Sequence, residues 1–142
     1  MEKDQPNIEK QDVKPSGYKV ESVLLLTSNF WRDINFDIQS YTGVNSKIDV
    51  KPEGHETTPE GKFAVTLTLK YEATYNSEDI CKAEITMIGV FEKFGEPPLP
   101  DDKFKAINAP AIIYPFIREH LHNTCLKAGI GNVLLPTINF KP

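Results

Sequence analysis

Three histidines and two cysteines are the side chains of this 142-residue chain best suited to nucleophilic or metal chemistry. His55 stands alone in a stretch punctuated by Pro52, Gly54, Pro59 and Gly61. His120 and His122 fall in a helix-like segment, where a separation of two puts them on different faces. His122 and Cys125, three apart, would share a face, yet two ligands do not specify a metal site. A surface or interface histidine and a buried thiol are the expectation. Glu119 adds a carboxylate beside the histidines, but no nucleophile, base and orienting group converge along the chain. P-loop, dinucleotide and Gly-x-Ser-x-Gly patterns do not occur. Glu78-Asp79 and Asp101-Asp102 sit in turn-like composition and read as solvated charge. Trp31 beside Phe30 has the surface to stack on a base, but the acidic balance favours a core or bulge role. No enzyme, metal or cofactor is expected.

The elements that position these residues belong to one domain-sized chain. Apolar residues make up 39% and charged residues 25%, in the ordinary globular range. A net charge of -4 argues against a duplex-binding surface, so no nucleic acid is expected. No apolar run reaches the roughly 20 residues of a membrane span, so no membrane insertion is expected. The charged start "MEKDQPNIEKQDVKPSG" lacks the apolar centre of a secretory signal, which makes a cytoplasmic location the default. Cys81 and Cys125 are too few and too far apart for a disulfide framework or a zinc ribbon.

Residues 1–16 are polar and read as a flexible N-terminal arm, with a single domain over 17–142. From Gly17 an apolar run leads into an alternating stretch in which Ile34, Phe36 and Ile38 share a face, with a bulge or bend expected around "TSNFW". "KIDVK" alternates again, and "PEGHETTPEG" reads as a loop. The clearest strand is "KFAVTLTLKYEATY", with Phe63, Val65, Leu67, Leu69, Tyr71, Ala73 and Tyr75 on one face. A hairpin at "NSED" returns it as "ICKAEITMIGVFEKF". In that return Ala83, Ile85, Met87 and Phe91 are apolar on one face and Ile88 and Val90 on the other. Such two-faced burial in a small sheet hints at a second subunit. Beyond "GEPPLPDD" a helix of about five turns is expected, with Asn108 as N-cap, Pro110 in the first turn, Pro115 as an internal anomaly and Gly129 as the stop. "IGNVLLPTINFKP" should lie extended across something.

Three segments carry a resemblance to a known family. "AEITMIGVFEKFG" has an acidic residue, apolar residues and Gly-[Ile/Val]-Phe. "APAIIYPFIREHLHNTCLKAG" sets Pro110, Ile112, Ile113, Tyr114, Pro115, Phe116, Arg118 and Glu119 in order. "LLPTINF" presents Leu-x-Pro-[Val/Ile]-Asn-Phe. Together, over residues 83 to 140, they resemble the SecB family of export chaperones, and "SKIDVK" resembles its second strand more weakly.

The resemblance implies an α+β fold, a four-stranded antiparallel sheet with a long helix on one face. It further implies a homotetramer built as a dimer of dimers, its helices between the sheets, with Pro115 near the helix start. The implied activity is ATP-independent holding of unfolded or late-folding polypeptides for export. An extended client would gain backbone pairing and place side chains in apolar pockets. Groove candidates are Ile48, Val50, Leu134, Leu135, Ile138 and Phe140. Ala83, Ile85, Met87, Ile117 and Leu121 are the oligomer-interface candidates. Glu84 matches an acidic position that the family turns toward the translocase motor SecA. One departure stands out: family chains continue past Asn-Phe into a second helix and an acidic tail, whereas here Lys141-Pro142 follows, so that helix is expected to be truncated or missing. This puts docking to SecA in question and leaves a dedicated, antitoxin-type client as a variant of the same mechanism. A carrier of a small apolar ligand is the alternative from another class.

Overall fold

Strict alternation dictates the centre of the molecule, because an extended chain sends every second side chain to the same face. The computed structural model describes residues 15–37, 44–131 and 133–141. In it β3 (Lys62–Tyr75) buries Phe63, Val65, Leu67, Leu69, Tyr71 and Ala73 and leaves the residues between them at least partly exposed. β4 (Glu78–Phe94) returns antiparallel after Asn76 and Ser77, whose φ angles are 51° and 65°. Left-handed residues at both centres of a two-residue turn match the twist of paired strands.

β1 (Gly17–Arg32) pairs with the far side of β4 and β2 (Asn45–Gly54) with the far side of β3, so the antiparallel order is β1-β4-β3-β2. One expectation is met and two change here. The bulge expected around "TSNFW" falls at its leading edge, where the register shifts between Leu25 and Thr27; a second shift lies between Val20 and Ser22, and β1 stays paired as far as Arg32, opposite Cys81. The alternation of Ile34 and Phe36 is not strand. The Asp33 carboxylate accepts the Asn35 N–H at 3.1 Å and the Asp33 carbonyl accepts the Phe36 N–H at 3.2 Å, which makes a local turn more favourable than pairing. Ile38 lies outside the described residues, as do residues 1–14 of the expected arm. Finally, β2 runs through Pro52 to Gly54 instead of ending in a loop. Proline is tolerated there because β2 is an edge strand.

The helical segment also begins earlier than expected. A short turn, α1 (Asp101–Lys103), passes through a wide π-type turn, Phe104–Asn108, into α2 (Ala109–Lys127). Asn108 is helical itself and makes no side-chain cap. The Ala109 N–H reaches five residues back to Phe104 O, a widened turn placed directly before the donorless Pro110. Pro115 is therefore interior to the helix, not near its start. It and Ala111, whose carbonyl loses its partner, are both exposed, so water can take the missing bond. Gly129 ends the helix as expected. At φ 71° it donates to Leu126 O at 3.1 Å while Ile130 N–H reaches Cys125 O at 2.9 Å, the paired bonds of a Schellman stop.

α2 packs on the sheet through Ala109, Ile113, Ile117, Leu121 and Cys125, each wholly buried and four residues apart. The close approach depends on Gly89 of β4. A Cβ there would lie 2.7 Å from the Phe91 ring and 3.0 Å from Ile113 Cδ1.

Candidate functional site

The residues with catalytic or metal-binding chemistry do not come together. His120 shares a hydrogen bond of 2.8 Å with Ser28 on β1, whereas His122 donates from Nδ1 to Val133 O at 3.0 Å. Glu119 accepts instead from Asn123. Cys125 faces the sheet and meets Cys81, both free and buried, rather than His122. The hydrogen bond to Cys125, followed by burial, pushes the Cys81 thiol up. Among the described residues no group of three or more His, Cys, Asp and Glu side chains is placed to hold a metal ion.

What the tertiary structure does assemble is an apolar face beside β2. In β2 the odd-numbered side chains Lys47, Asp49, Lys51 and Glu53 belong to the outer sheet face, and Ile48 and Val50 to the inner one, opposite Tyr71 and Leu69. Both are half-buried against the core. The segment after α2 lies on the flank of the helix opposite β1. Tyr114 and His122 point about 120° or more around the helix from His120, and they hold this segment: Tyr114 O–H donates to Pro136 O at 2.6 Å and His122 to Val133 O. Leu135 turns inward and is buried, Ile138 and Phe140 are half-buried, and Phe140 meets the Tyr114 ring edge-on at 6.0 Å. Leu134 points outward and is 74% exposed. Thus five of the six expected groove residues rest on the core, and Leu134 alone is largely free.

The expected interface residues Ala83, Ile85, Met87, Ile117 and Leu121 all lie in this subunit's own core, between 0 and 8% exposed. Alternation along β4 turns Ala83, Ile85 and Met87 toward α2, and the four-residue spacing on α2 turns Ile117 and Leu121 toward the sheet. Exposed apolar area concentrates instead on β1, at Val20, Leu24, Leu25 and Leu26. The sequence hid this surface because its two register slips break the period-two signal. Glu84 is exposed on the outer face, in register with Lys70 of β3 and Asn29 of β1. The next row across sets Lys82 between Glu72 and Trp31, so this face alternates charge rather than concentrating acid.

An anchoring cluster closes the other end of the sheet. Asp101 accepts from Tyr18 O–H at 2.9 Å and Thr57 O–H at 3.2 Å and pairs with Lys93 at 3.2 Å. Burial, with this hydrogen bond, pushes the Tyr18 phenol up to about 12. Tyr18 stacks on Phe104 at 4.0 Å, and Phe63 and Phe91 complete the aromatic cluster.

A four-stranded antiparallel sheet carrying one long helix and an extended strap places the chain among α+β proteins with an open sheet edge and no assembled catalytic centre among its described residues. The chain belongs to the SecB family, described as "Preprotein translocase subunit SecB", whose profile matches residues 19–142. A protein-export protein SecB of Azoarcus sp. (strain BH72) is 30% identical over 95 residues, covering 66% of this chain and 62% of that protein. Its counterpart from Chromobacterium violaceum is 24% identical over 139 residues, covering 94% and 88%. In two further relatives of the same description the match spans only 54% and 50% of their length. Among solved structures, the SecB-like chaperone of Mycobacterium tuberculosis, in complex with a ChAD peptide from the HigA1 antitoxin, superimposes with a TM-score of 0.72 at 14% identity. The match covers 88% of this chain and 92% of that one. The sheet-and-helix fold expected from the resemblance is thereby borne out.

Proposed function

We propose that the protein is a holdase that works without nucleotide, binding unfolded or late-folding polypeptides along the inner face beside β2. Membership of the SecB family sets the class. The observation that carries the reading is the half-covered apolar surface of Ile48, Val50, Ile138 and Phe140, with exposed Leu134 next to it. Such a surface accepts apolar side chains without demanding a sequence. A small-ligand carrier is less well supported. A groove of about 410 Å³ lies on the outer sheet face and is lined by charged residues such as Asp49, Lys70 and Glu84, and one of about 370 Å³ is an open notch on the helix at Pro115, Phe116 and Glu119.

The assembly we propose is a homotetramer, in a cytoplasmic setting, with β1 supplying contacts between subunits. A long edge strand carrying exposed leucines is seldom left uncovered. Ala83, Ile85, Met87, Ile117 and Leu121 would act on assembly only through packing. Of the two client readings, export through SecA would use Glu84. The alternating charge around Glu84 gives a basic partner little net attraction, which favours a dedicated client.

The test is suppression of aggregation of several diluted, chemically unfolded proteins without nucleotide, comparing the protein with its Ile48→Asp/Leu134→Asp variant. Suppression lost in the variant, with assembly unchanged, is the expected result. Failure of the unaltered protein on every client sinks the general holdase. Co-purification of one protein would then point to a dedicated partner.

A further inference from the structure

Resting on that reading, we infer that a client adds to β2 as a fifth strand over a short window, residues 46–50, closed at one end by Pro52. The argument starts from backbone direction. In an antiparallel pair, alternate residues turn both their N–H and C=O toward the partner strand. His55 N–H donates to Ala64 O at 3.0 Å, and the register is unbroken from there back to Asn45 opposite Thr74. Lys47, Asp49, Lys51 and Glu53 therefore spend their backbone groups on β3, consistent with the Thr66 hydroxyl reaching Glu53 O. Ser46, Ile48, Val50 and Pro52 turn theirs to the free edge. Among the described residues no backbone bond is made to that edge.

Only another extended backbone repeats donor and acceptor at this spacing, which commits the occupant to a polypeptide. Ser46, Ile48 and Val50 each offer a donor and an acceptor. Pro52 offers an acceptor alone, and beyond it Lys105 packs over Gly54, where an added Cβ would meet Lys105 Cβ at 3.0 Å. The ladder thus runs for about five residues before it breaks. Client residues facing Ser46, Ile48 and Val50 would point to the inner face, next to the apolar side chains there. The residues between them would point to the outer face, beside Lys47, Asp49 and Lys51. The preferred segment is accordingly apolar at alternate positions and polar between, short enough to occur in most unfolded chains. Pro52 has a second consequence, since a broken donor row keeps two β2 edges from zipping together along their full length.

The experiment is amide hydrogen exchange, read by NMR on the full chain, with and without a ten-residue peptide alternating valine with serine and lysine. Exchange at Ile48 and Val50 should slow by about tenfold or more at saturation. Lys47, Asp49 and Lys51 should not change, being bonded already. Methylating one peptide nitrogen at an in-register position should weaken binding. Pro52→Val should strengthen it by about two- to tenfold, the worth of one added bond, and bring a protected amide at position 52. Protection at β1 instead, or no alternation in β2, overturns the inference. So does slow exchange of Ile48 and Val50 without peptide that deepens with protein concentration, which would place a second copy on the edge. Aggregation suppression measured on the same sample separates the failures. Suppression without β2 protection defeats the window alone, and absence of both defeats the holdase as well.

Discussion

The two edges of the sheet face opposite problems. β1 is sixteen residues long and exposes Leu24, Leu25 and Leu26 by 45 to 52%. β2 is ten residues long, charged along its outer face and interrupted by Pro52. The first has more apolar surface than a lone subunit should show to water, whereas the second carries the devices that keep an edge from sticking. One sheet thus separates a surface suited to a permanent partner from one suited to a transient one. Permanent association rests on buried apolar area, and transient capture on a few backbone bonds that can be surrendered.

The sharpest way to break this comparison is to charge β1. Leu24→Lys/Leu26→Lys should lower the molar mass by light scattering to that of smaller assemblies while far-UV circular dichroism stays unchanged. An unaltered mass would remove β1 from the interface.

On the other side, Leu135→Ala should cost about 2–4 kcal/mol in denaturant unfolding, since a buried leucine anchors the strap. It should also weaken client binding more than β1 charges do. A small change in both would mean that the strap does not build the site.

Gly89→Ala lies between the edges and should cost about 1–3 kcal/mol by forcing Phe91 and Ile113 aside. Its effect should fall on stability rather than on client choice, so a change in client preference at equal stability would blur the division.

The smallest effect concerns Asp101, which ties Tyr18 at the start of β1 to Thr57 beyond β2. Burial alone would raise its pKa, but the Tyr18 hydrogen bond and Lys93 outweigh it and hold the carboxyl below its usual value. A lowered folded pKa stabilises the protein above the ordinary carboxylate range. That contribution fades as pH falls through the folded value. Asp101→Asn should therefore flatten the acid limb of a stability-against-pH curve and leave the neutral limb parallel. An unchanged acid limb would show that the anchor is not electrostatic.

Much of the site's foundation was legible. Alternation marked which side chains of β3 and β4 turn inward, and Gly129 marked the end of α2. Ile48, Val50 and Leu135 were named from type and motif, and each rests on the core. The assembly candidates were less legible, because an apolar residue in an alternating strand reads the same whether its own helix or a neighbour covers it. Leu24 to Leu26 escaped notice because two slips of register erase the pattern that would have drawn attention to them.

Local chemistry, then, was determined by the chain itself: the period of β3, the polarity of β2's outer face, the donor missing at Pro52 and the family motifs from Ala83 to Phe140. Such features depend on neighbours a few residues away. Tertiary structure alone decided that β1 crosses to pair with β4, that β2 ends the sheet on the other side, that Cys81 meets Cys125 and that His120 and His122 part company. Strand order and helix placement come from the burial of apolar faces far apart in sequence, and alternation records a face without naming what will cover it.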